Sequence, residues 1–441
     1  MNLKIKNKLI KGISVNCLAT GISAFFQMLI VMILARYYTK QEFGLWAAIT
    51  STAAIVVTGD LGITNALRNK MSFFISKVEN TDKEQKKYFF AVLYFFVCLA
   101  IVFTIILLLV YRFIPYHLLF KTDNLGLQNI GVTILLFVQI IFLFSIPLSI
   151  GNALFYSYQE SQVAAYFSIV RAFLTLTIVA LFSFARSSIL IISVSYFIMG
   201  FAVTVLSLYY FLKIRKWRFM RLPVKDVVVL NKELLNNGMK FMILELSSSF
   251  LQNSATIAAA SFLGLGIAGE YNLIMKLFTF FVSIFQSIFN PLWGAFSKAL
   301  YSSDFNWCKR IYCISIKYIY IFLSIFILIL MALGNTFLNL LFGGEHEVSL
   351  ALYFFIGTNS LFFLLFSAAS VVLKSVNKIK LLTLLFVFSA LFIAPIMRIF
   401  SRMVGIDGLP IALTLVWFVM YLLTRMQTKK ILGGKILLVK G

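Results

Sequence analysis

KIRKWRFMRLPVKDVVVLNK, running from Lys213 to Lys232, holds seven Lys/Arg and one proline between two series of about six long apolar runs. Such a stretch does not enter hydrocarbon, where a Lys or Arg at mid-depth costs roughly 2.5–3.5 kcal/mol on insertion scales. It therefore lies in water at a membrane surface, and it divides the chain into a first part at 1–212, a basic linker at 213–237 and a second part at 238–441 with a short basic tail.

Composition agrees with this reading. Hydrophobic residues make up 61% of the 441, charged residues only 12%, and the mean hydropathy is +0.97. A soluble domain has about 45–50% apolar residues. Runs of some twenty residues match helical crossings and not the roughly ten-residue alternating strands of an outer-membrane barrel, because backbone polar groups in lipid must be paired within the segment. The expected class is an all-α polytopic membrane protein.

The formal charge of +24 suggests nucleic acid only if its placement is ignored. Twelve spans are expected, at about 10–35, 43–66, 89–111, 129–151, 163–185, 188–212, 238–262, 268–290, 311–333, 350–373, 381–400 and 406–424. With the N-terminus inside, the segments 1–9, 67–88, 213–237, 291–310, 374–380 and the tail are all basic, whereas the outside loops hold little beyond Lys40, Arg112, Lys121, Arg186 and Arg402. That is the positive-inside pattern with both termini cytoplasmic. The charge thus orients the chain and attracts anionic lipid, and no nucleic acid is expected as a partner. The first apolar run is too long for the h-region of a signal peptide and lacks a small-residue cleavage site, so it counts as the first span. Cys17, Cys98, Cys308 and Cys313 read as apolar packing residues, and His117 and His346 stand too far apart for a metal cluster.

An internal repeat supports the division at the linker. Gly12 precedes QEFGLW (41–46) as Gly238 precedes GIAGEY (266–271), each a glycine opening a span followed by a Gly/Glu/aromatic turn into the next. Both halves begin on the same side, so the repeat is parallel, and two six-helix bundles facing a cleft have the geometry of alternating access.

Polar residues inside the spans carry the candidate chemistry, since in lipid they face the interior, a wet cavity or a partner. Span one holds Asn16 and Gln27 on one face and Arg36 at its outer end, where it can also serve as an interfacial anchor. Asp60 stands in TGDLGITNALRN with Gly62, Asn65 and Arg68 near the inner end of span two, either in helix packing or gating or in contact with substrate or a coupling ion. Arg171 in span five offers a planar fork of donors for phosphate, or an ion pair with Asp60, Glu160 or Glu245. Glu245, Ser248 and Gln252 follow i, i+3, i+7 spacing and form one polar stripe, and Lys276 lies about two turns into span eight, which ends in QSIFNPLW with Pro291 at a terminus or kink. This mixture of buried signs favours a large amphiphilic or anionic substrate. GGK at 433–435 follows no GxxxxG, so no nucleotide loop is present, and the loops lack a compact Asp/His constellation for an enzyme. No cofactor is expected; energy would come from an H+ or Na+ gradient or from the substrate's own.

RYYTKQEFGLWAAI (36–49), GDLGITNALRN (59–69) and the stretch from GMKFMILELSSSF to IAGEYNLIMKLF (238–278) resemble the bacterial polysaccharide-export flippases, the O-antigen and capsule repeat-unit translocases of the multidrug/oligosaccharidyl-lipid/polysaccharide (MOP) superfamily. The resemblance covers essentially the whole chain. It implies a pair of six-helix lobes, MATE-like, that carry an undecaprenyl-pyrophosphate-linked oligosaccharide across the bacterial inner membrane. A cationic cavity would receive the pyrophosphate, with Arg36, Arg171 and Lys276 as its cations. The small number of mid-span cations departs from that pattern and leaves a teichoic-acid-like polymer open. The partners implied are the lipid-linked oligosaccharide, membrane lipids, a polysaccharide polymerase and a chain-length regulator, with the protein working as a monomer. The alternative on the same fold is an ion-coupled exporter of small amphiphiles.

The charge asymmetry makes one direct prediction. Reporter fusions after Lys232 and Lys430 behave as cytoplasmic, and fusions near Asp123 and His346 as external. An external readout at Lys430 with a cytoplasmic one at Lys232 would mean that the second half holds an odd number of spans.

Overall fold

The computed structural model describes residues 3–56, 62–76, 81–113, 119–122, 124–158, 160–301, 304–342, 348–376, 378 and 380–433. Asp60, His117, His346 and the tail lysines Lys435 and Lys440 lie outside the described residues. Among the described residues there is no strand, and the long helices are α1 (Leu3–Tyr37), α2 (Lys40–Val56), α3 (Ile63–Ser76), α4 (Asp82–Val110), α5 (Leu125–Ser157), α6 (Ser161–Phe184), α7 (Ile189–Arg215), α8 (Val224–Ala258), α9 (Leu265–Tyr301), α10 (Phe305–Phe342), α11 (Leu350–Ser375), α12 (Lys380–Val404) and α13 (Gly408–Leu432).

Nine stretches among the described residues are long and apolar enough to cross a membrane. The last, Lys380–Leu432, is 53 residues long and is divided by the short turn Gly405–Asp407 into α12 and α13. The expected spans at 43–66 and 238–262 are the two missing from that set. The first is shared between α2 and α3, and the second continues a charged helix and so carries Lys240 and Glu245. Elsewhere the helices overrun the expected inner loops. α3 continues to Ser76 and α4 starts at Asp82, so most of 67–88 is helical. α9 runs past Pro291 to Tyr301, while its apolar crossing stretch ends at Phe289, beside the span terminus expected at that proline. The physical reason is that a helix satisfies its own backbone in water as well as in lipid, so hydropathy marks where the hydrocarbon ends and not where the helix does.

The chain forms two compact units, residues 1–30 with 45–253, and residues 31–44 with 254–441. In the first, α5 packs on α3, α4 and α7, and α6 on α7. Its core is aromatic: Phe211 meets Phe155 at 5.4 Å and Trp217 at 5.7 Å between ring centroids, and Trp217 meets Phe89 at 5.4 Å. In the second, α11 is the most enclosed helix, packed on α9, α10 and α13. Trp417 of α13 stands 4.9 Å from Phe363 and 5.4 Å from Phe366.

Two close backbone approaches need glycine. Gly62, at the start of α3, has φ +68°, and a Cβ there would collide with the carbonyl of Gly238. Gly44 and Gly269 hold the repeated turns together within the second unit. A Cβ on Gly44 would land on the Leu265 carbonyl oxygen, and one on Gly269 would stand 2.8 Å from the Lys40 carbonyl oxygen and 3.2 Å from the Gly44 nitrogen. Each turn thus presents its glycine to the first turn of the other's helix, as a local twofold axis requires. Lys40 Nζ closes the crossing with a 2.6 Å ion pair to Glu270, and Thr39 and Glu42 cap α2 reciprocally, the Thr39 backbone N–H donating to Glu42 Oε2 at 3.0 Å and the Glu42 backbone N–H to Thr39 Oγ1 at 3.3 Å.

The basic linker is folded. α7 ends at Arg215 with Lys216 in the left-handed conformation (φ 52°), and α8 begins one residue after Pro223, with Asp226 in its first turn. Trp217 enters the aromatic core and its Nε1 donates to Asp82 Oδ1 at 3.1 Å. Arg215 pairs with Glu160 at 2.7 Å and lies 3.9 Å over the Tyr158 ring. Further along, Tyr94 Oη donates to the Met220 carbonyl at 2.6 Å and Asn231 Nδ2 to the Ala91 carbonyl at 2.9 Å. Glu233 accepts from Lys70 Nζ at 2.7 Å and from Tyr88 Oη at 2.6 Å.

Two stability predictions follow from these contacts. Gly269→Val should lower abundance and thermal stability by an overpacking cost of about 1–3 kcal/mol, while Gly21→Ala, with nothing within 4 Å of its Cβ, leaves both unchanged. The hydrogen bonds from Lys70 and then Tyr88 hold the Glu233 carboxyl below its ordinary value of 4.5, and the bond to Glu233 raises Lys70 above 10.5. A depressed carboxylate stabilises the fold above its unfolded value and ceases to do so as pH falls through its folded value; the raised lysine does the converse at alkaline pH. Glu233→Gln should therefore lower the unfolding free energy in detergent at neutral pH, by about 0.2–1 kcal/mol for so exposed a pair. That deficit should shrink below pH 4.5, and an undiminished deficit in acid would remove the ion pair as its cause.

Candidate functional site

Polar side chains within apolar helices are arranged here as seams. Asn16, Thr20, Ser23 and Gln27 follow i, i+4, i+7, i+11 spacing on α1 and so share one face. Asn16 Nδ2 donates to Ser161 Oγ of α6 at 2.9 Å, and the Ser23 and Ser168 hydroxyls are 3.2 Å apart. Both contacts advance by the same step along each chain, so α1 and α6 run parallel along a shared hydroxyl and amide line. Gln27 continues that line and is exposed.

Arg171 stands one turn beyond Ser168 on α6 and is exposed. Its guanidinium lies in the notch left by Gly200 of α7, where a Cβ would stand 3.1 Å from Nε and Nη2. Among the described residues no carboxylate forms an ion pair with it. Two of the partners weighed for it are engaged elsewhere, Glu160 with Arg215 at 2.7 Å and Glu245 as acceptor from Asn65 Nδ2 at 2.8 Å. The third, Asp60, lies outside the described residues. Arg171 thus presents a fork of donors beside a row of hydroxyls, a combination suited to phosphate oxygens.

The stripe on α8 is partly self-satisfied. Gln252 Nε2 donates to Ser248 Oγ at 3.0 Å, Ser249 Oγ to the Ala54 carbonyl at 3.0 Å, and Gln252 remains exposed. In the second unit Lys276 is half-buried on α9, in line with Asn272, Thr279, Ser283 and Gln286. No hydrogen bond or ion pair from its ammonium is found among the described residues, while Gln286 Nε2 reaches Ser367 Oγ of α11 at 3.0 Å. Arg36 stands apart from these seams: its Nη2 donates to the Leu340 carbonyl in the last turn of α10, where helical carbonyls lack partners. Among the described residues no group of three His, Cys, Asp or Glu could hold a metal ion.

Gln27 was placed on the Asn16 face from sequence, but Ser23 was not, although a signal for it was there. SAFFQ (23–27) recurs as SSFLQ (248–252), at the same separation as Gly44 and Gly269. The repeat thus carries its Ser and Gln at matched positions of α1 and α8, and the α8 stripe was visible only because Glu245 drew attention to it.

A family model described as "Polysaccharide biosynthesis protein" matches residues 9–299. No curated protein matches the chain. Among solved structures, an inward-facing multidrug resistance MATE family transporter of the MOP superfamily aligns with a TM-score of 0.75 at 12% identity, covering 94% of this chain and 96% of the other. The MATE multidrug transporter DinF-BH aligns at 0.71 with 17% identity, covering 96% and 95%. An outward-facing MATE family transporter aligns at 0.62 with 13% identity, covering 97% and 96%. These likenesses identify the fold, that of MATE transporters with 12 helices in two lobes. With nine stretches long and apolar enough to cross a membrane among its described residues and a family match over most of its length, this chain belongs to the polysaccharide biosynthesis protein family and has the MATE transporter fold.

Proposed function

We propose that the protein is a flippase moving an undecaprenyl-pyrophosphate-linked oligosaccharide repeat unit from the inner to the outer leaflet of the cytoplasmic membrane, for O-antigen or capsule synthesis. Arg171 carries the reading: a guanidinium on an apolar helix, exposed, one turn along from Ser168, set in the notch at Gly200 and without an ion pair among the described residues. A charge kept at that depth is costly unless something anionic or wet meets it; membership of a polysaccharide biosynthesis family agrees with a polysaccharide precursor, and the resemblance to repeat-unit translocases is what implies its pyrophosphate. Ser248, Gln252 and Lys276 are each proposed to contact substrate, and Glu245 and Asp60 to take part in coupling to H+ or Na+. The proposal keeps 1–212 and 238–441 as six-helix lobes joined at 213–237, places both termini in the cytoplasm, and has the protein act as a monomer alongside a polymerase and a chain-length regulator. A second reading, an ion-coupled exporter of small amphiphiles, draws on the multidrug transporters that share the fold.

The two readings separate in a deletion strain. Loss of surface polysaccharide with accumulation of its lipid-linked repeat unit is expected; normal polysaccharide with no accumulation would sink the flippase reading. In the complemented strain Arg171→Lys should lower transport at unchanged abundance, because the point charge lacks the planar fork, and Arg171→Ala should lower it further. Since Glu245 is engaged with Asn65, the R171A/E245A pair should not restore abundance or transport. Full transport by R171A at wild-type abundance would remove Arg171 from the site.

A further inference from the structure

The folded linker has its acids neutralised within the first unit: Asp226 pairs with Lys87 at 2.9 Å, and Glu233 with Lys70 at 2.7 Å. Arg218, Arg221, Lys225 and Lys232 are exposed, and none of them forms an ion pair among the described residues. Lys225, Val229 and Lys232 share one face of α8 at i, i+4, i+7 spacing, opposite the buried Asn231 and Leu234. Large apolar side chains stand among these cations in the open: Phe219 is 69% exposed, Val224 79% and Val228 58%. The scaffold under them is held by Trp217, by the Tyr94 bond to the Met220 carbonyl and by the Asn231 bond to the Ala91 carbonyl.

Unneutralised cations mixed with exposed apolar side chains suit neither water alone nor hydrocarbon alone. They suit the headgroup layer, where phosphates meet the ammonium and guanidinium groups and the acyl boundary receives the apolar ones. The position agrees, since the segment leaves the end of the α7 span directly. We infer that the outward face of 218–232 is a binding surface for anionic phospholipid headgroups, with Arg218, Arg221, Lys225 and Lys232 on the phosphates and Phe219 and Val224 seated between lipids. Phe219 rests edge-on against Phe90 and Tyr94, each 5.8 Å away between ring centroids, and still leaves most of its ring open; an acidic soluble partner would match the charge but would leave the exposed Val224 and Val228 without a role.

The test uses the full chain in neutral detergent, with binding of phosphatidylglycerol and phosphatidylcholine measured by native mass spectrometry. The wild type should prefer phosphatidylglycerol, and R218Q/R221Q/K225Q/K232Q should reduce its affinity by at least about tenfold, from the loss of several headgroup attractions. A control pair at other exposed cations, K309Q/R310Q, should keep the preference, and monodispersity of each variant establishes that it is folded. Phe219→Ser with Val224→Ser should weaken phosphatidylglycerol binding too. Equal binding of the two lipids by the wild type, or a preference undiminished in the quadruple variant, would overturn the inference. So would full competition by poly-glutamate with no effect of the Phe219 and Val224 changes, which would assign the face to an acidic protein, or full competition by pyrophosphate, which would make it a phosphate site.

Discussion

A dry hydrocarbon layer leaves no water to receive an unpaired N–H or C=O, and nearly every feature of this protein follows from that constraint. It makes each crossing a helix and removes the backbone from further chemistry. What remains is the question of where the polar side chains go. Here they go into lines: Asn16 and Ser23 against Ser161 and Ser168, Asn65 against Glu245, Gln286 against Ser367. Each line lets two helices meet through hydrogen bonds where lipid cannot supply them. Arg171 and Lys276 are the exceptions, cations on apolar helices with no ion pair among the described residues, and an ionisable group kept within such a helix marks a candidate functional site.

The same constraint explains why glycine is needed where backbones meet. Without a strong hydrophobic force between helices in lipid, association depends on close contact, and close contact depends on small residues. Gly44 and Gly269 occupy matched positions in the repeated turns and abut each other's helix starts, so the duplication visible in sequence is also a contact in space. The Lys40 to Glu270 ion pair adds charge complementarity at this crossing, though both groups are solvated enough that its contribution is small beside that of backbone contact.

The linker adds a different lesson. A run of seven Lys/Arg reads as a solvated connection, and six of these cations are exposed, but Arg215 is held against Glu160 and the Tyr158 ring, and Trp217, Met220, Asn231 and Glu233 tie the segment to α4 and to the aromatic core. Its two acids are neutralised by Lys87 and Lys70 while Arg218, Arg221, Lys225 and Lys232 stay exposed without an ion pair among the described residues, so the segment is both a structural part of the first unit and a charged surface.

The all-helical polytopic class and the repeated turns were legible in the sequence, because hydropathy and the repeated Gly/Glu/aromatic turn are local properties that act residue by residue. Helix ends were not: α3, α4, α8 and α9 extend through stretches read as loops, since a helix continues into water wherever its backbone remains bonded. Partners were not legible either. Glu245 was weighed as a mate for Arg171 from its charge alone, yet it takes Asn65, while Arg36 ends on the Leu340 carbonyl, more than three hundred residues away. Composition decides that a polar group in lipid must find a partner. Only the register of one helix against another decides which partner it finds, because that register is set by the packing of many side chains at once, and no single stretch of sequence contains it.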